Sequence, residues 1–257
     1  MAGLSTTRPP AAGRDAQRGW DHGGERASSC THGGRAGGKK RVVDVRNEVQ
    51  IPAGDVQLTA DLRVPPEPAG VVLFAHGSGS SRRSPRNVAV AQVLNRSALC
   101  TVLVDLLSPA EEAVDARTRQ LRFDIGLLAG RLAAIVDWLA TAGPCGSAPI
   151  GLFGASTGAA AALVSAAERP DVVRAVVSRG GRPDLAGAAL DRVTAPTLLL
   201  VGGLDDQVLT LNEQAREALP ESAELTVVPG AGHLFEEPGA LAQVSDAAAT
   251  WFTDHLG

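Results

Sequence analysis

Five residues near the middle of the chain join an apolar run to an alanine-rich run through two glycines. Residues 154–158 read Gly-Ala-Ser-Thr-Gly, between the apolar segment 149–153 and the alanine-rich segment 159–167. A short apolar run next to glycine is typical of a buried strand, and an alanine-rich run is typical of a helix. The glycines indicate a joint too tight for larger side chains on either side of the serine. The segment therefore predicts a strand-to-helix turn that presents Ser156 at the carboxyl end of a strand.

A serine at such a joint has two interpretations. In the first it is the exposed nucleophile of a nucleophile elbow, held in a strained backbone conformation above the N-terminus of the following helix. The helix dipole and its free N–H groups would then face the reacting centre. In the second it is a helix N-cap, a role that serine often fills. The pentapeptide alone does not decide between them, because such a pattern arises by chance in a chain with 29 glycines.

The rest of the chain predicts the fold around this joint. Residues 45–51 and 56–64 alternate apolar and polar residues on either side of Pro52-Ala53-Gly54-Asp55, which predicts an antiparallel hairpin. Further strands are expected at 70–75, 100–106, 149–154, 172–178, 197–202 and 224–228. Helices are expected at 85–94, 121–139, 156–168, 185–190, 209–218 and 241–256, with a polar loop between residue 107 and about residue 120.

This alternation predicts an α/β fold, in which a mostly parallel, doubly wound sheet carries helices on both faces and the antiparallel hairpin lies at its edge. The segment between residues 178 and 197 is short, so no large cap domain is expected. Ligands of such sheets bind at the carboxyl ends of the strands.

The first 42 residues differ from the rest in composition. Glycine, arginine, alanine, serine and proline dominate, and few large apolar residues precede Val42. Such a segment buries too little surface to offset its ordering entropy, so residues 1–42 are expected to be a disordered extension and residues 43–257 the folded domain. The extension has no continuous apolar stretch of the kind found in a secretory signal.

Composition limits the possible partners. The 257 residues carry a net charge of −4, which argues against a nucleic-acid partner. The longest uninterrupted apolar runs are far shorter than the about 20 residues that cross a bilayer, so no membrane span is expected. Cys30, Cys100 and Cys145 show no paired or metal-binding spacing, which predicts neither a disulfide framework nor a zinc site and favours the cytoplasm. A small-molecule partner is expected, with no cofactor and no metal. Oligomeric state is not indicated.

Polar residues follow Ser156 in loops after later strands. One predicted turn contains Asp205 and Asp206, and the turn after the last predicted strand contains His233. A serine hydroxyl needs a neutral imidazole to take its proton, and the imidazole needs a carboxylate to fix its tautomer. The chain order Ser, Asp, His in such loops is that of α/β-hydrolases. By position alone, either aspartate could be the carboxylate.

The chain from about residue 45 resembles the α/β-hydrolase superfamily. Four segments are similar to its dienelactone-hydrolase-related branch: residues 76–87, 154–158, 178–185 and 232–238. The namesake enzymes use a cysteine where Ser156 stands, so the resemblance is greater to compact bacterial hydrolases, some of them joined to a phosphoribosyltransferase domain. The resemblance implies that Ser156 is the nucleophile and His233 the general base. It also implies that Asp205 is the carboxylate, because the family pattern places that acid three residues before a valine.

Two backbone N–H groups are expected to form an oxyanion hole. The Thr157 N–H directly follows the nucleophile, and the Ser78 N–H lies in the Gly-Ser-Gly turn after the strand 70–75. His76 begins the same turn and is explained by the shape of that loop rather than by chemistry.

Arginines cluster on two of these loops, at positions 82, 83, 86, 179 and 182. Arg82, Arg83 and Arg179 are candidates for binding a carboxylate or phosphate of an anionic acyl substrate. Alternatively they are exposed or form structural ion pairs, as Arg182 would with Asp184. Asp105, Glu111 and Glu112 are further candidates for such pairs.

The sequence thus predicts a metal-independent serine hydrolase of small carboxyl esters, thioesters or lactones that acts through an acyl-enzyme. A non-catalytic binding or scaffold member of the fold is the alternative, as is an acyltransferase with the same three residues.

Overall fold

The computed structural model describes residues 45–257, and side chains from residue 47 onward. The predicted disordered extension, residues 1–42, lies outside the described residues.

Within residues 45–257, eight strands form one sheet. They are β1 (Val45–Ala53), β2 (Val56–Val64), β3 (Gly70–Ala75), β4 (Leu99–Val104), β5 (Ile150–Ala155), β6 (Val173–Arg179), β7 (Thr197–Gly202) and β8 (Glu224–Val228). Their spatial order is β1-β2-β4-β3-β5-β6-β7-β8. The hairpin β1–β2 and the β2–β4 pair are antiparallel, and every other pair is parallel. The predicted α/β fold, with an antiparallel hairpin at one edge of a mostly parallel sheet, is confirmed.

Helices cover both faces of this sheet. They are α1 (Pro85–Arg96), α2 (Pro109–Thr118), α3 (Ile125–Ala142), α4 (Thr157–Glu168), α5 (Asp206–Ala218) and α6 (Ala240–Leu256), with 3₁₀ segments at Leu121–Phe123 and Pro183–Arg192. Helices α1 and α6 pack together in the core of one face, and α3 and α4 pack together in the core of the other. The connection between β6 and β7 is short, as predicted, and carries no cap domain.

The central strands are apolar on both sides because both sides are covered. All residues of β3, β4 and β5 are buried. In β3, Leu73 belongs to the core on the α3 and α4 side, whereas Phe74 belongs to the core on the α1 and α6 side, where its ring centroid lies 4.7 Å from that of Phe153. This packing explains why these strands are continuous apolar runs rather than alternating ones.

Helix α2 replaces most of the polar loop that the sequence predicts between residue 107 and about residue 120. The helix has little apolar surface, and its start is determined by a capping box. The Ser108 side chain accepts a bond from the Glu111 N–H, and the Glu111 carboxylate accepts one from the Ser108 N–H (2.8 Å). The signal was therefore local side-chain chemistry, which a search for apolar periodicity does not detect.

Glu111 also connects α2 to the rest of the fold. Its carboxylate pairs with the guanidinium of Arg131, a buried residue of α3. Arg131 Nη1 donates in turn to the Leu106 carbonyl (2.8 Å), and the Leu106 N–H donates to His76 Nε2 (3.2 Å). The bond from Arg131 and the bonds from Ser108 lower the pKa of Glu111 to about 2. One ion pair thus supports the loops that follow β3 and β4.

Helix α3 is the longest helix of the described residues and is strongly apolar. By length and composition alone its 18 residues, with a mean hydropathy of 1.5, would suffice to cross a membrane. Eight of them are buried in the structure, and the buried set includes the charged Arg131. The apolar face of α3 packs on α4 and β1. The apolar residues of α3 therefore form part of the core of the described domain.

Two cysteines with no apparent pairing in the sequence are neighbours in the structure. Cys100 is buried in β4, Cys145 lies in the loop before β5, and their Sγ atoms are 2.6 Å apart as free thiols. The hydrogen bond with Cys145 and burial raise the pKa of the Cys100 thiol. A separation of 45 residues gives no hint of this contact, because it depends on which strands become neighbours.

The Glu111–Arg131 pair predicts a pH-dependent loss of stability. Because the pKa of Glu111 is about 2 in the folded protein and 4.5 ordinarily, its stabilisation is complete above pH 4.5 and is lost as the pH falls toward 2. Glu111→Gln should lower the free energy of unfolding by about 1–3 kcal/mol at pH 7, as measured by urea denaturation. The difference in the free energy of unfolding between Glu111→Gln and the wild type should decrease as the pH falls from 4.5 to 2. Glu112→Gln, at the exposed neighbour, is the control and should change little. A Glu111→Gln effect that is constant with pH would contradict the assignment.

Candidate active site

Ser156 lies at the turn between β5 and α4 in a conformation that few residues adopt. Its φ of 50° and ψ of −122° are unfavourable for a residue with a Cβ atom. The flanking glycines permit this turn. A Cβ atom on Gly154 would lie 2.3 Å from Ala159 Cα, and one on Gly158 would lie 2.3 Å from the Ala75 carbonyl oxygen. Ser156 occupies the N-cap position of α4, but its side chain makes no cap bond, so the hydroxyl does not fill the usual capping role.

His233 and Asp205 lie in loops at the same end of the sheet. Asp205 Oδ2 is 2.6 Å from His233 Nδ1. Asp205 occupies the N-cap position of α5 but makes no cap bond, so its carboxylate is directed to the histidine instead. Asp206 is the first residue of α5 and is exposed. The structure thus brings Asp205, and not its neighbour, to the histidine.

Backbone hydrogen bonds join the two loops that carry this pair. The Leu204 N–H donates to the Ala231 carbonyl and the Gly203 N–H to the Val228 carbonyl, both at 2.9 Å. The Gly232 N–H donates to Glu237 Oε1 at 3.0 Å. The histidine and the carboxylate are therefore held by the ends of two adjacent parallel strands, β7 and β8, with short connections.

Ser156 and His233 line the same cavity, which has a volume of about 250 Å³. The other lining residues come from the loop after β3, the start of α1, the ends of β5 and β6, and the loop after β8 that also carries His233. The His233 side chain is 39% exposed, so water can approach its imidazole from the cavity mouth. A hydroxyl, an imidazole and a carboxylate in this order can support nucleophilic attack on an acyl group. A second cavity of about 270 Å³ lies beyond the Gly77–Ser78 turn, beside Leu106, Leu107 and Leu128.

The loop after β3 approaches the serine closely. A Cβ atom on Gly77 would lie 3.0 Å from Ser156 Cβ. The Ser78 N–H donates to Thr157 Oγ1 at 2.9 Å, while Thr157, as the first residue of α4, has no intrahelical acceptor for its own N–H. The two predicted oxyanion donors therefore belong to residues that adjoin the serine turn, and the Ser78 N–H already has a partner.

His76 is a structural residue of this loop. It lies beside the Gly77 carbonyl (Nδ1 to O, 3.0 Å) and accepts a bond from the Leu106 N–H through Nε2. Nδ1 therefore carries the proton, and burial lowers the pKa of the ring. A neutral ring with both nitrogens used fits the predicted role in shaping the loop.

Two of the three arginines predicted to bind substrate lie outside the cavity. Arg82 pairs with Asp105, with Glu48 Oε2 at 2.6 Å and with Asp61 Oδ1 at 3.5 Å, so it joins the loop to strands β1 and β2 and to the residue after β4. The Arg83 side chain is 74% exposed and lies 3.9 Å from Glu48 Oε2. The structural interpretation of these two arginines fits their contacts better than substrate binding does.

Arg179 is different, because it is one of the residues that line the cavity with Ser156. The residue is only 7% exposed, and its Nη2 donates to Asn87 Oδ1 at 3.4 Å. Burial, with repulsion from Arg86 second, lowers the pKa of Arg179 to about 10, so it remains charged at neutral pH. Asn87 was not recognised in the sequence. Its only signal was its position in the first turn of α1, directly after the loop that carries Ser78.

The parallel sheet, the strained serine turn, and the Asp and His loops together define an α/β hydrolase. Residues 88–255 match the dienelactone hydrolase family, and the chain belongs to that family. A crystal structure of dienelactone hydrolase from Anabaena variabilis is 55% identical, with a TM-score of 0.82, and the match covers 83% of this chain and 99% of that one. The fold is also that of Est1E from Butyrivibrio proteoclasticus, with 17% identity, a TM-score of 0.68, and 81% and 98% of the two chains covered.

The names of two curated relatives refer to phosphoribosyl transfer rather than to hydrolysis. Two proteins from Mycobacterium tuberculosis strains, each called "Putative phosphoribosyl transferase", are 58% identical over 209 residues. The match covers 81% of this chain but 46% of each relative, so the chain spans less than half of their length.

The close approach at the serine turn predicts opposite effects for two helical glycines. Gly158→Ala should lower the free energy of unfolding by about 1–3 kcal/mol, because the new methyl group would collide with the Ala75 carbonyl. Gly130→Ala in α3 meets nothing within 4 Å and should raise it by about 0.5–1 kcal/mol through helix propensity. Urea denaturation measures both. Equal effects of the two substitutions would show that the turn is not constrained.

Proposed function

We propose that this chain is a serine hydrolase of small carboxyl esters, thioesters or lactones, with Ser156 as nucleophile, His233 as general base and Asp205 as the orienting carboxylate. The observation that carries the proposal is the 2.6 Å contact between Asp205 and His233 at the cavity that contains the strained Ser156. Membership of a hydrolase family supports it.

In the first half of the reaction the Ser156 hydroxyl attacks the acyl carbon while His233 Nε2 takes its proton. Asp205 accepts the hydrogen bond from Nδ1–H, which keeps Nε2 available as the base and stabilises the imidazolium that forms. The tetrahedral intermediate then expels the alcohol, thiol or ring oxygen, which receives the proton from His233. An acyl-enzyme on Ser156 results.

In the second half, water attacks the acyl-enzyme. His233 removes a proton from the water and returns it to Ser156 Oγ, so the net reaction is addition of water across the acyl bond. The exposure of the imidazole supports water as the acceptor, in preference to a second substrate in an acyl transfer.

The oxyanion that forms in both halves would be held by the N–H groups of Thr157 and Ser78. The Thr157 N–H lies at the N-terminus of α4, where the helix dipole favours negative charge. The Ser78 N–H would exchange its bond to Thr157 Oγ1 for one to the oxyanion. Each such donor contributes a factor of about 10² to 10³ in rate.

The cavity supports a small substrate. Its volume of about 250 Å³ is below the about 300–1,000 Å³ of typical ligand pockets, and no cap domain extends it. Phosphoribosyl transfer is not part of the proposal, because the relatives with that name are more than twice as long as the matching segment.

Labelling with a fluorophosphonate tests the nucleophile. We expect one adduct on Ser156 in the wild type, identified by mass spectrometry after digestion, and no adduct in Ser156→Ala or His233→Ala. An adduct requires a serine that is activated, whatever the natural substrate is. If the folded wild type carries no adduct on Ser156, the hydrolase proposal is wrong and a binding role for the fold is favoured.

The two adjacent aspartates provide a matched test of the carboxylate. Asp205→Asn should slow hydrolysis of 4-nitrophenyl acetate by about 10²- to 10⁴-fold, since the imidazole loses its anionic partner. Asp206→Asn makes the same chemical change one residue away, at an exposed side chain, and should leave kcat/KM nearly unchanged. A loss in Asp206→Asn alone would reverse the assignment.

A further inference from the structure

An incompletely paired, buried cation belongs to Arg179, which lines the cavity with Ser156. The Nε and Nη1 atoms of Arg179 are buried and have no hydrogen-bond partner, and no acidic side chain pairs with this guanidinium within residues 45–257. Its protein contacts are one long bond to Asn87 and the face of Phe235, whose ring centroid is 6.0 Å from the guanidinium carbon. Buried charges in proteins are normally paired, because an unpaired one is strongly destabilising.

Arg82 and Arg182, two structural arginines of this domain, are each paired with carboxylates. Arg82 pairs with three carboxylates, and Arg182 makes a bidentate pair with Asp184 at 2.8 and 2.7 Å. Arg179 is more buried than either, and no described carboxylate pairs with it. Its two unused donors therefore suit an anion that comes from outside the protein.

Two further positive groups line the same cavity. Arg86 contributes a guanidinium whose Nε is also buried and has no partner among the described residues, although its Nη1 pairs with Glu236 at 3.1 Å. The first turn of α1, capped by Ser84, contributes the positive end of a helix dipole. An anion at this position would meet two guanidinium groups and a helix N-terminus, which is a common arrangement for phosphate.

The cation is close to the reacting centre. Arg179 is paired in register with Ala155, the residue before the nucleophile, on the adjacent strand. Neighbouring strands are about 4.8 Å apart. Arg179 and Ser156 also line one cavity, so one small molecule can place an anionic group at Arg179 and an acyl group at Ser156.

We propose that Arg179, Arg86 and Asn87 form a phosphate-binding subsite, and that the substrate of Ser156 is a small ester carrying a phosphate monoester group. The substrate part of this inference rests on the proposed function, whereas the subsite does not. A phosphate is favoured over a carboxylate because it carries up to two negative charges and three terminal oxygens, which match two guanidinium groups. The Asn87 side-chain N–H₂ would supply a neutral donor.

Calorimetric titration with inorganic phosphate at constant ionic strength tests the subsite. Wild type and Ser156→Ala should bind phosphate equally, and acetate should bind at least tenfold more weakly than phosphate. Arg179→Met should weaken phosphate binding at least tenfold. Arg96→Met removes the same charge from the exposed far end of α1 and should not change it. Equal phosphate binding by wild type and Arg179→Met, or equal binding of acetate and phosphate, would overturn the subsite.

A second variant covers the case in which Arg179→Met does not fold. Arg86→Gln changes a side chain that is 31% exposed and should weaken phosphate binding about threefold or more. Unchanged binding in that variant would exclude Arg86 from the subsite and overturn the proposed pairing of two guanidinium groups.

Matched substrates test the link to the reaction. The 4-nitrophenyl esters of butyric, succinic and 3-phosphonopropionic acids present a neutral, a carboxylate and a phosphonate end. We expect kcat/KM to be highest for the phosphonate, and its ratio to the butyrate value to fall at least tenfold in Arg179→Met. No preference for the phosphonate would overturn the substrate class even if phosphate binds. If phosphate binds but Ser156 forms no fluorophosphonate adduct, the proposed function is refuted, whereas the phosphate-binding subsite is still supported.

Discussion

The structure depends on one close approach, between the start of α4 and the end of β3. Only a hydrogen fits between Gly158 and the Ala75 carbonyl, so the helix N-terminus lies against the strand that leads into the Gly77–Ser78 turn. The positive φ of Ser156 follows from this geometry, since the chain must reverse within one residue after β5. The sheet order then brings the Asp205 and His233 loops to the same edge. Packing of backbone against backbone thus determines where the polar groups lie.

Much of this arrangement could be predicted from the sequence because it depends on periodicity and on chain order. The strands β3, β7 and β8 have the predicted bounds, since apolar runs ended by glycine or polar turns define both ends. Helix α2 was missed, because its stability comes from a cap and an ion pair rather than an apolar face. The Cys100–Cys145 contact was not predicted either, since it depends on long-range packing.

The roles of the three candidate arginines also depend on long-range packing that the sequence does not show. Arg82, Arg83 and Arg179 are equivalent in a sequence, since all three follow predicted strands in loops near the reactive residues. What separates them is the set of groups around each guanidinium, namely three carboxylates for Arg82, solvent for Arg83, and an amide and an aromatic ring for Arg179. Residue type predicts which side chains could bind an anion. Only the three-dimensional environment shows which of these side chains has hydrogen-bond donors that no protein group uses.

The bond between the Ser78 N–H and the Thr157 hydroxyl has a consequence for selectivity in the proposed mechanism. A neutral substrate carbonyl that approached this N–H would replace one neutral acceptor by another and gain little. An oxyanion would gain much more, because hydrogen bonds to a charged acceptor are roughly twice as strong. The Thr157 hydroxyl would thus compete with the substrate for the Ser78 N–H. A bound neutral substrate would seldom replace the hydroxyl as acceptor, whereas the oxyanion of the tetrahedral intermediate would replace it readily. Stabilisation of this kind raises the turnover rate without tightening the binding of substrate.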